Sequence, residues 1–269
     1  MIEIAPRKRW LQLDLRELWA YRELLYFLAW RDVKIRYKQT LIGVAWAVLQ
    51  PALTTLVFTL IFSGWVRMET GDVPYPVFAL SGLLIWLFIF STITFASNSF
   101  VGNTNLVTKV YFPRIIVPVA AILAGLFDLV IGLGMLSLLI AYFRIGITPQ
   151  MAATPIFVLL AVLLATGLGV LLSALNVKYR DIRFALPFLL QVWMIASPIF
   201  YPSTAVAAKW RPLFAINPLV GIIEGFRSAV MGSSFDWNVI GISAASTAMI
   251  LVIAVTVFRS MEDDFADVI

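Results

Sequence analysis

The chain has 269 residues, of which 61% are hydrophobic and 13% charged, with 20 Lys and Arg against 15 Asp and Glu and a net charge of +5. Its mean hydropathy is +0.94. A soluble domain carries roughly 45–50% apolar and about 25% charged residues. This composition therefore excludes an ordinary water-soluble fold and points to a bilayer, which accepts apolar side chains outward provided that backbone groups are satisfied internally.

There is no Cys and no His, which removes disulfides, thiolate nucleophiles, imidazole acid–base chemistry and Cys/His metal cages. The pI near 9.6 does not argue for nucleic acid, because the bases flank apolar runs, where they read as topology signals and contacts with anionic lipid. No G-x-x-x-x-G-K-[ST] phosphate loop occurs, so the chain does not bind ATP in that manner.

Residues 1 to 40 form a polar and amphipathic arm, too long for the short basic n-region of a cleaved signal peptide, so retention of the arm is expected. Asp14 and Glu17 have capping-box spacing ahead of Leu18, Tyr21, Leu25 and Leu28, which recur on one helical face. The expectation is a helix lying along the inner leaflet with Arg16, Glu17 and Glu23 in water. Behind it the string RDVKIRYKQ places Arg31, Lys34, Arg36 and Lys38 at headgroup level. Lipid anchoring and capture of a substrate phosphate are both open for these bases, and anchoring is the simpler.

A spanning helix needs about 20 predominantly apolar residues. Six stretches qualify: 41–63, 76–96, 115–143, 154–176, 184–201 and 238–258. Nine Lys and Arg precede the first, two lie in 97–114, three in 177–183 and one after 258, whereas the alternate connections hold one, one and three. The positive-inside rule then predicts both termini in the cytoplasm, with 259–269 as an acidic cytoplasmic tail. The expected fold class is an all-α polytopic membrane protein of six transmembrane helices.

Asp128, in the third stretch, is the one ionisable residue at mid-membrane depth. A proton or cation site is one reading. The other is structural: Ala121, Gly125, Asp128 and Gly132 share a small-residue face that suits close helix approach. With no Lys or Arg in any stretch, Asp128 is expected to hydrogen-bond Ser173 or Asn176. Gln50 with Pro51, and Gln191 with Pro198, are the other mid-depth polar features; each reads as a plain kink or as part of a channel wall. Trp30, Trp65, Trp210 and Trp237 suit interfacial anchoring. Trp46, Phe58 and Phe62 on the first stretch, Trp86, Phe88 and Phe90 on the second, and Trp193, Phe200 and Tyr201 on the fifth are candidates for lining a pore.

The connection 202–237 holds two apolar runs, each too short to cross and punctuated by Pro202, Pro212 and Pro218, so two short re-entrant helices are expected. The second has Asn217 as N-cap, Pro218 at its first position and Gly232 as terminator, with Leu219, Ile222, Ile223, Phe226 and Val230 on one face. Glu224 and Arg227 fall on the other. A periplasmic gate formed by Ile223, Phe226, Glu224 and Arg227 would seal a wide pore at rest, while packing filler on the outer leaflet is the simpler alternative.

The strings RDVKIRYKQTLIGVAWAVLQP (31–51), PYPVFALSGLLIW (74–86), NLVTKVYFPRIIVP (105–118), NVKYRDIRFALPFLLQVWMIASPIFYP (176–202) and NPLVGIIEGFR (217–227) closely resemble the permease subunit of polysaccharide-exporting ABC transporters, of the O-antigen exporter type. Teichoic-acid export permeases share the same blocks. The resemblance implies a homodimer of six-helix subunits in the bacterial inner membrane, working with two copies of a separate ATPase that carries ATP and Mg. The cargo would be a lipid-linked polysaccharide. It also implies a short coupling helix after the second span, where Asn105 would cap a helix presenting Leu106, Val107, Lys109, Val110 and Tyr111 to the ATPase. The rivals are a teichoic-acid or drug exporter, or a lipid-modifying membrane enzyme. For the last, Asp32 and Asp181 lie in basic strings where local ion pairing explains them.

Overall fold

The computed structural model describes residues 15–38, 43–65, 73–179, 181–262 and 265. Asp14, the capping residue expected for the arm, lies outside them, as do residues 41–42 at the start of the first stretch and the side chains of Arg16, Glu17, Trp65 and Val107.

Among the described residues the fold is entirely helical. In order it runs α1 (Leu15–Ala20), α2 (Arg22–Lys38), α3 (Trp46–Thr59), α4 (Tyr75–Ser97), α5 (Ser99–Gly102), α6 (Thr104–Lys109), α7 (Ile116–Tyr142), α8 (Thr154–Lys178), α9 (Ile182–Ile195), α10 (Arg211–Ala215), α11 (Pro218–Met231) and α12 (Trp237–Met261). Five helical runs are long and apolar enough to cross a membrane: Gly43–Ser63, Tyr75–Ser97, Ile116–Tyr142, Pro149–Lys178 and Trp237–Met261.

The fifth predicted stretch, 184–201, is not one straight span. Its helix α9 ends at Ile195 after 14 residues, about 21 Å at 1.5 Å per residue. The apolar run continues, but beyond Ala196 the Ser197 amide turns back to the Met194 carbonyl, and Pro198 has no amide to carry a helix on. Downstream, the run Ala208–Ala215 and α11 meet at a bend of 100°.

The centre of the molecule is α4, packed by α7, α8, α3 and α11. Lipid tails are as apolar as Leu, so helix association here rests on close packing and interhelical hydrogen bonds rather than on expelling water. At Gly125 of α7 a methyl group would collide with Thr92 of α4, and at Gly132 with Leu84. The predicted small-residue stripe does admit a neighbour, and that neighbour is α4. Asn176 of α8 donates to the Ser97 carbonyl at 2.8 Å, tying α8 to the end of α4.

The arm does not lie on a lipid leaflet by its apolar face. Leu18, Tyr21, Leu24, Leu25 and buried Leu28 pack with Phe100, Ile116 and Val117, so α2 runs along α7. Its outward side is apolar too: Trp19, Tyr26, Phe27, Trp30 and Ile35 are exposed. The predicted amphipathic pattern described the protein-facing side.

Candidate transport pathway and partner-contact sites

A cavity of about 480 Å³ lies among α2, α3, α4 and α7. It gathers four of the predicted pathway residues, Trp46, Gln50, Phe88 and Phe90, beside Pro51 and Phe95. Trp46 and Gln50 are exposed, and Phe88 is buried at the back.

At one wall sits Asp128, and its partners differ from expectation. Arg36 Nη1 donates to Oδ2 at 2.7 Å, and the Tyr37 hydroxyl donates to Oδ1. The Arg36 guanidinium stacks 4.0 Å from the centroid of Phe95 and is only 11% exposed. Asp128 therefore meets neither Ser173 nor Asn176, and Arg36 is not a headgroup base. The reason is the course of α2: its last turn reaches the middle of α7, delivering a cation from 92 residues away to a carboxylate that no spanning helix could pair. Two charges withdrawn from water attract strongly but lose hydration, so the pair adds little net stability while the loss of one partner is costly. Burial, followed by the bond to Asp128, raises the Tyr37 phenol above its usual range, so it stays a donor.

The other arm bases lie apart from Asp128. Arg31 pairs with Asp32 at 2.8 Å, and the Lys34 ammonium stands 5.5 Å from the Trp30 ring centroid. Together with exposed Lys38 and Phe27 they border a second cavity of about 410 Å³, a mixture of bases and aromatics that suits an anionic headgroup.

The remaining predicted pathway residues lie elsewhere. Phe58 stacks on Phe200 at 3.5 Å and 10°, and Phe62 stacks on both Phe58 and Tyr75; the Tyr75 hydroxyl donates to the Phe200 carbonyl at 2.9 Å. This column joins α3, α4 and the segment after α9. Trp86 is buried and meets Trp193 edge-on at 6.0 Å. The Trp193 indole donates to Asn217 Oδ1 at 2.9 Å, while Asn217 donates to the Ala196 carbonyl and Ser197 Oγ. Gln191 is exposed on α9, and Tyr201 donates to the Ile195 carbonyl and faces Phe214.

Helix α11 has the predicted ends: Asn217 Oδ1 accepts from the Leu219 amide at 3.1 Å, and Gly232 takes the left-handed φ of 71°. Its apolar face, including Ile223 and Phe226, is fully buried. Arg227 is not on a polar face. It is 2% exposed, donates to the Pro198, Ile199 and Phe78 carbonyls at 2.6, 2.5 and 3.3 Å, and stacks 3.7 Å from the Phe78 ring centroid. Glu224 stands 3.6 Å away and accepts from the Ser203 amide. Arg227 thus satisfies the carbonyls freed where the chain breaks at Pro198, in a slot left by Gly82, where a methyl group would meet the guanidinium. Helical periodicity missed this; the pairing of Gly82 with a proline break was its only trace.

The segment 98–114 carries the expected short helix, with a different start. Helix α6 begins at Thr104 with Asn103 in the capping position, so Asn105 lies inside the helix. Asn103 bonds instead to the Ser99 carbonyl at 2.8 Å. Asn105 and Lys109 are exposed, Leu106 is half-buried, and Val110 and Tyr111 are 52% and 77% exposed. An exposed Val–Tyr tip beside a Lys is the kind of surface a protein partner covers.

A helical core with five runs long and apolar enough to cross a membrane, and a mainly apolar cavity beside the first of them, defines an integral, multi-pass membrane protein. The ABC-2 type transporter family matches residues 23–231, and the chain belongs to that family. It is 29% identical to the O-antigen export system permease protein RfbA of Myxococcus xanthus over 94% of this chain and 97% of that protein. The RfbA permease of Klebsiella pneumoniae is 25% identical over 92% and 95%. The polysialic acid transport protein KpsM of Escherichia coli is 27% identical over 87% and 91%.

Proposed function

We propose that this chain is the transmembrane subunit of an inner-membrane ABC exporter that moves a lipid-linked polysaccharide outward. Two copies would form the pathway, and two copies of a separate ATPase, carrying ATP and Mg, would drive it. The observation that carries the reading is the near full-length similarity to O-antigen and polysialic acid export proteins, with no ATP-binding loop in the chain itself. Exposed apolar faces on α3 (Leu53, Leu56, Val57) and α9 (Phe184, Phe188, Leu189, Val192) support a homodimer, since both helices present sides that nothing in one copy covers. With both termini cytoplasmic, 98–114 meets the ATPase, and the bend before α11 supports a re-entrant course for 202–237. Ile223 and Phe226 then hold the gate, while Trp46, Gln50, Phe88 and Phe90 border the path. Arg31, Lys34 and Lys38 receive the lipid headgroup or its phosphate.

Co-expression with a candidate ATPase subunit tests this. Co-purification of the two, with glycan delivered to the outer face only when both are present, is the expected result. Export by the chain alone, or catalytic turnover of a lipid by it, would overturn the reading in favour of another transporter or an enzyme.

A further inference from the structure

Helices α5 and α6 have four and six residues, and isolated helices shorter than about 12 residues do not hold their shape in water. Something must fix the segment 98–114, and the structure supplies it from the far end of the chain. Phe265 is buried against Phe100 of α5 at 5.1 Å and against Phe258 of α12 at 5.5 Å. Phe100 and Phe258 face each other at 6.1 Å, closing a three-ring cluster. Arg114, at the other end of the segment, donates to the Glu262 carbonyl and stands 6.0 Å from the Phe265 ring centroid. Glu262 also pairs with Arg259 of α12 at 3.3 Å. One short stretch beyond α12 therefore grips both the beginning and the end of 98–114, leaving Val110 and Tyr111 outward between them.

We infer that Glu262 and Phe265, with Arg114 and Phe100, form a clasp that positions segment 98–114 for its protein partner. These are positioning residues: Phe100, Glu262 and Phe265 are buried and Arg114 is half-buried, so they act by holding the segment. The inference rests on the proposed ATPase contact for its consequence, but not for its geometry. A ring cluster at one end and a charge-assisted bond at the other make the segment a braced bridge, so a push on its tip moves α7 and α12 together instead of bending a loop. Loss of the clasp leaves the tip present but loosely held, which weakens coupling more than it weakens assembly.

The test is Phe265→Ala, with Phe265→Leu and Arg114→Gln as milder variants in case the first fails to fold. In the purified full chain, amide exchange of 104–112 should quicken by about tenfold or more in Phe265→Ala, since local opening reads the bracing directly. In the assembled complex in liposomes, export per ATP hydrolysed should fall by about fivefold, the lower range of a site-to-site coupling. Phe265→Leu, which keeps the apolar volume, should recover most of both. Wild-type exchange in 104–112 in folded Phe265→Ala and Arg114→Gln proteins would overturn the clasp. Failure of the wild-type chain to hold an ATPase subunit would count against the exporter reading instead, leaving the exchange result to decide the clasp.

Discussion

Helices α4 and α3 are both apolar enough to cross a membrane, yet 78% of an 18-residue apolar window in Tyr75–Ser97 is buried within the chain against 11% of one in Gly43–Ser63. Hydropathy alone does not separate them, at 2.2 and 1.8. Neighbours do. Helix α4 is walled in by α7, α8 and α11, and glycines on α7 let it approach. Helix α3 touches the body along one side and turns Leu53, Leu56 and Val57 outward. The lesson is a division of labour: the central helix carries the packing that holds the fold together, while the peripheral one faces outward apart from the cavity at Trp46.

The largest effect should come from the centre. Arg227→Met leaves the Pro198 and Ile199 carbonyls without their guanidinium donor and Glu224 without its cation, a loss of about 3–5 kcal/mol for one partner of a buried charged network. Denaturant unfolding in detergent should show it; unchanged stability would detach α11 from the core described above.

Next, Trp86→Ala and Trp46→Ala sharpen the contrast between helices. The buried Trp86 should cost about 3–5 kcal/mol of folding stability. The half-exposed Trp46 should cost under about 1 kcal/mol, as a partly exposed ring forfeits few contacts, while transport falls. Equal stability losses at the two sites would erase the distinction.

The clamp between arm and core comes third. Asp128→Ala leaves Arg36 withdrawn from water and unpaired there, at about 1–3 kcal/mol, and Arg36→Leu in the same chain should restore part of that loss by a coupling of about 0.5–3 kcal/mol. Strict additivity in this double-mutant cycle would mean that the pair does not couple the arm to α7. Smallest, Tyr37→Phe removes one hydrogen bond and should cost about 1 kcal/mol, readable as a small shift in thermal midpoint.

What the chain disclosed in advance was whatever is local. Asn217, Pro218 and Gly232 announced both ends of α11, because capping and left-handed backbone are decided within a few residues. Five of the six apolar runs became helices of spanning length for the same reason. The fifth run misled because hydropathy records apolarity and not backbone geometry; Ala196 to Tyr201 are mostly apolar but not helical. Asp128 and Arg36 were each visible, yet their pairing depends on how α2 lies along α7, which no periodicity encodes. Arg227 looked like a surface charge since its helix was amphipathic, and only the carbonyls freed at Pro198 explain why a guanidinium belongs inside. The braces from Phe265 and Arg114 to the 98–114 segment were invisible for the same reason, being contacts across about 150 residues of chain.

The account rests on a chain that transports only with an ATP-driven partner, and reconstitution reads this directly. Liposomes holding the chain and its ATPase subunit, loaded on the ATPase side with a lipid-linked glycan, should deliver glycan to the opposite face on addition of ATP and Mg, and should fail with the chain or the ATPase alone. Delivery without ATP, or none from a folded and assembled complex that hydrolyses it across a panel of lipid-linked glycans, would contradict the account.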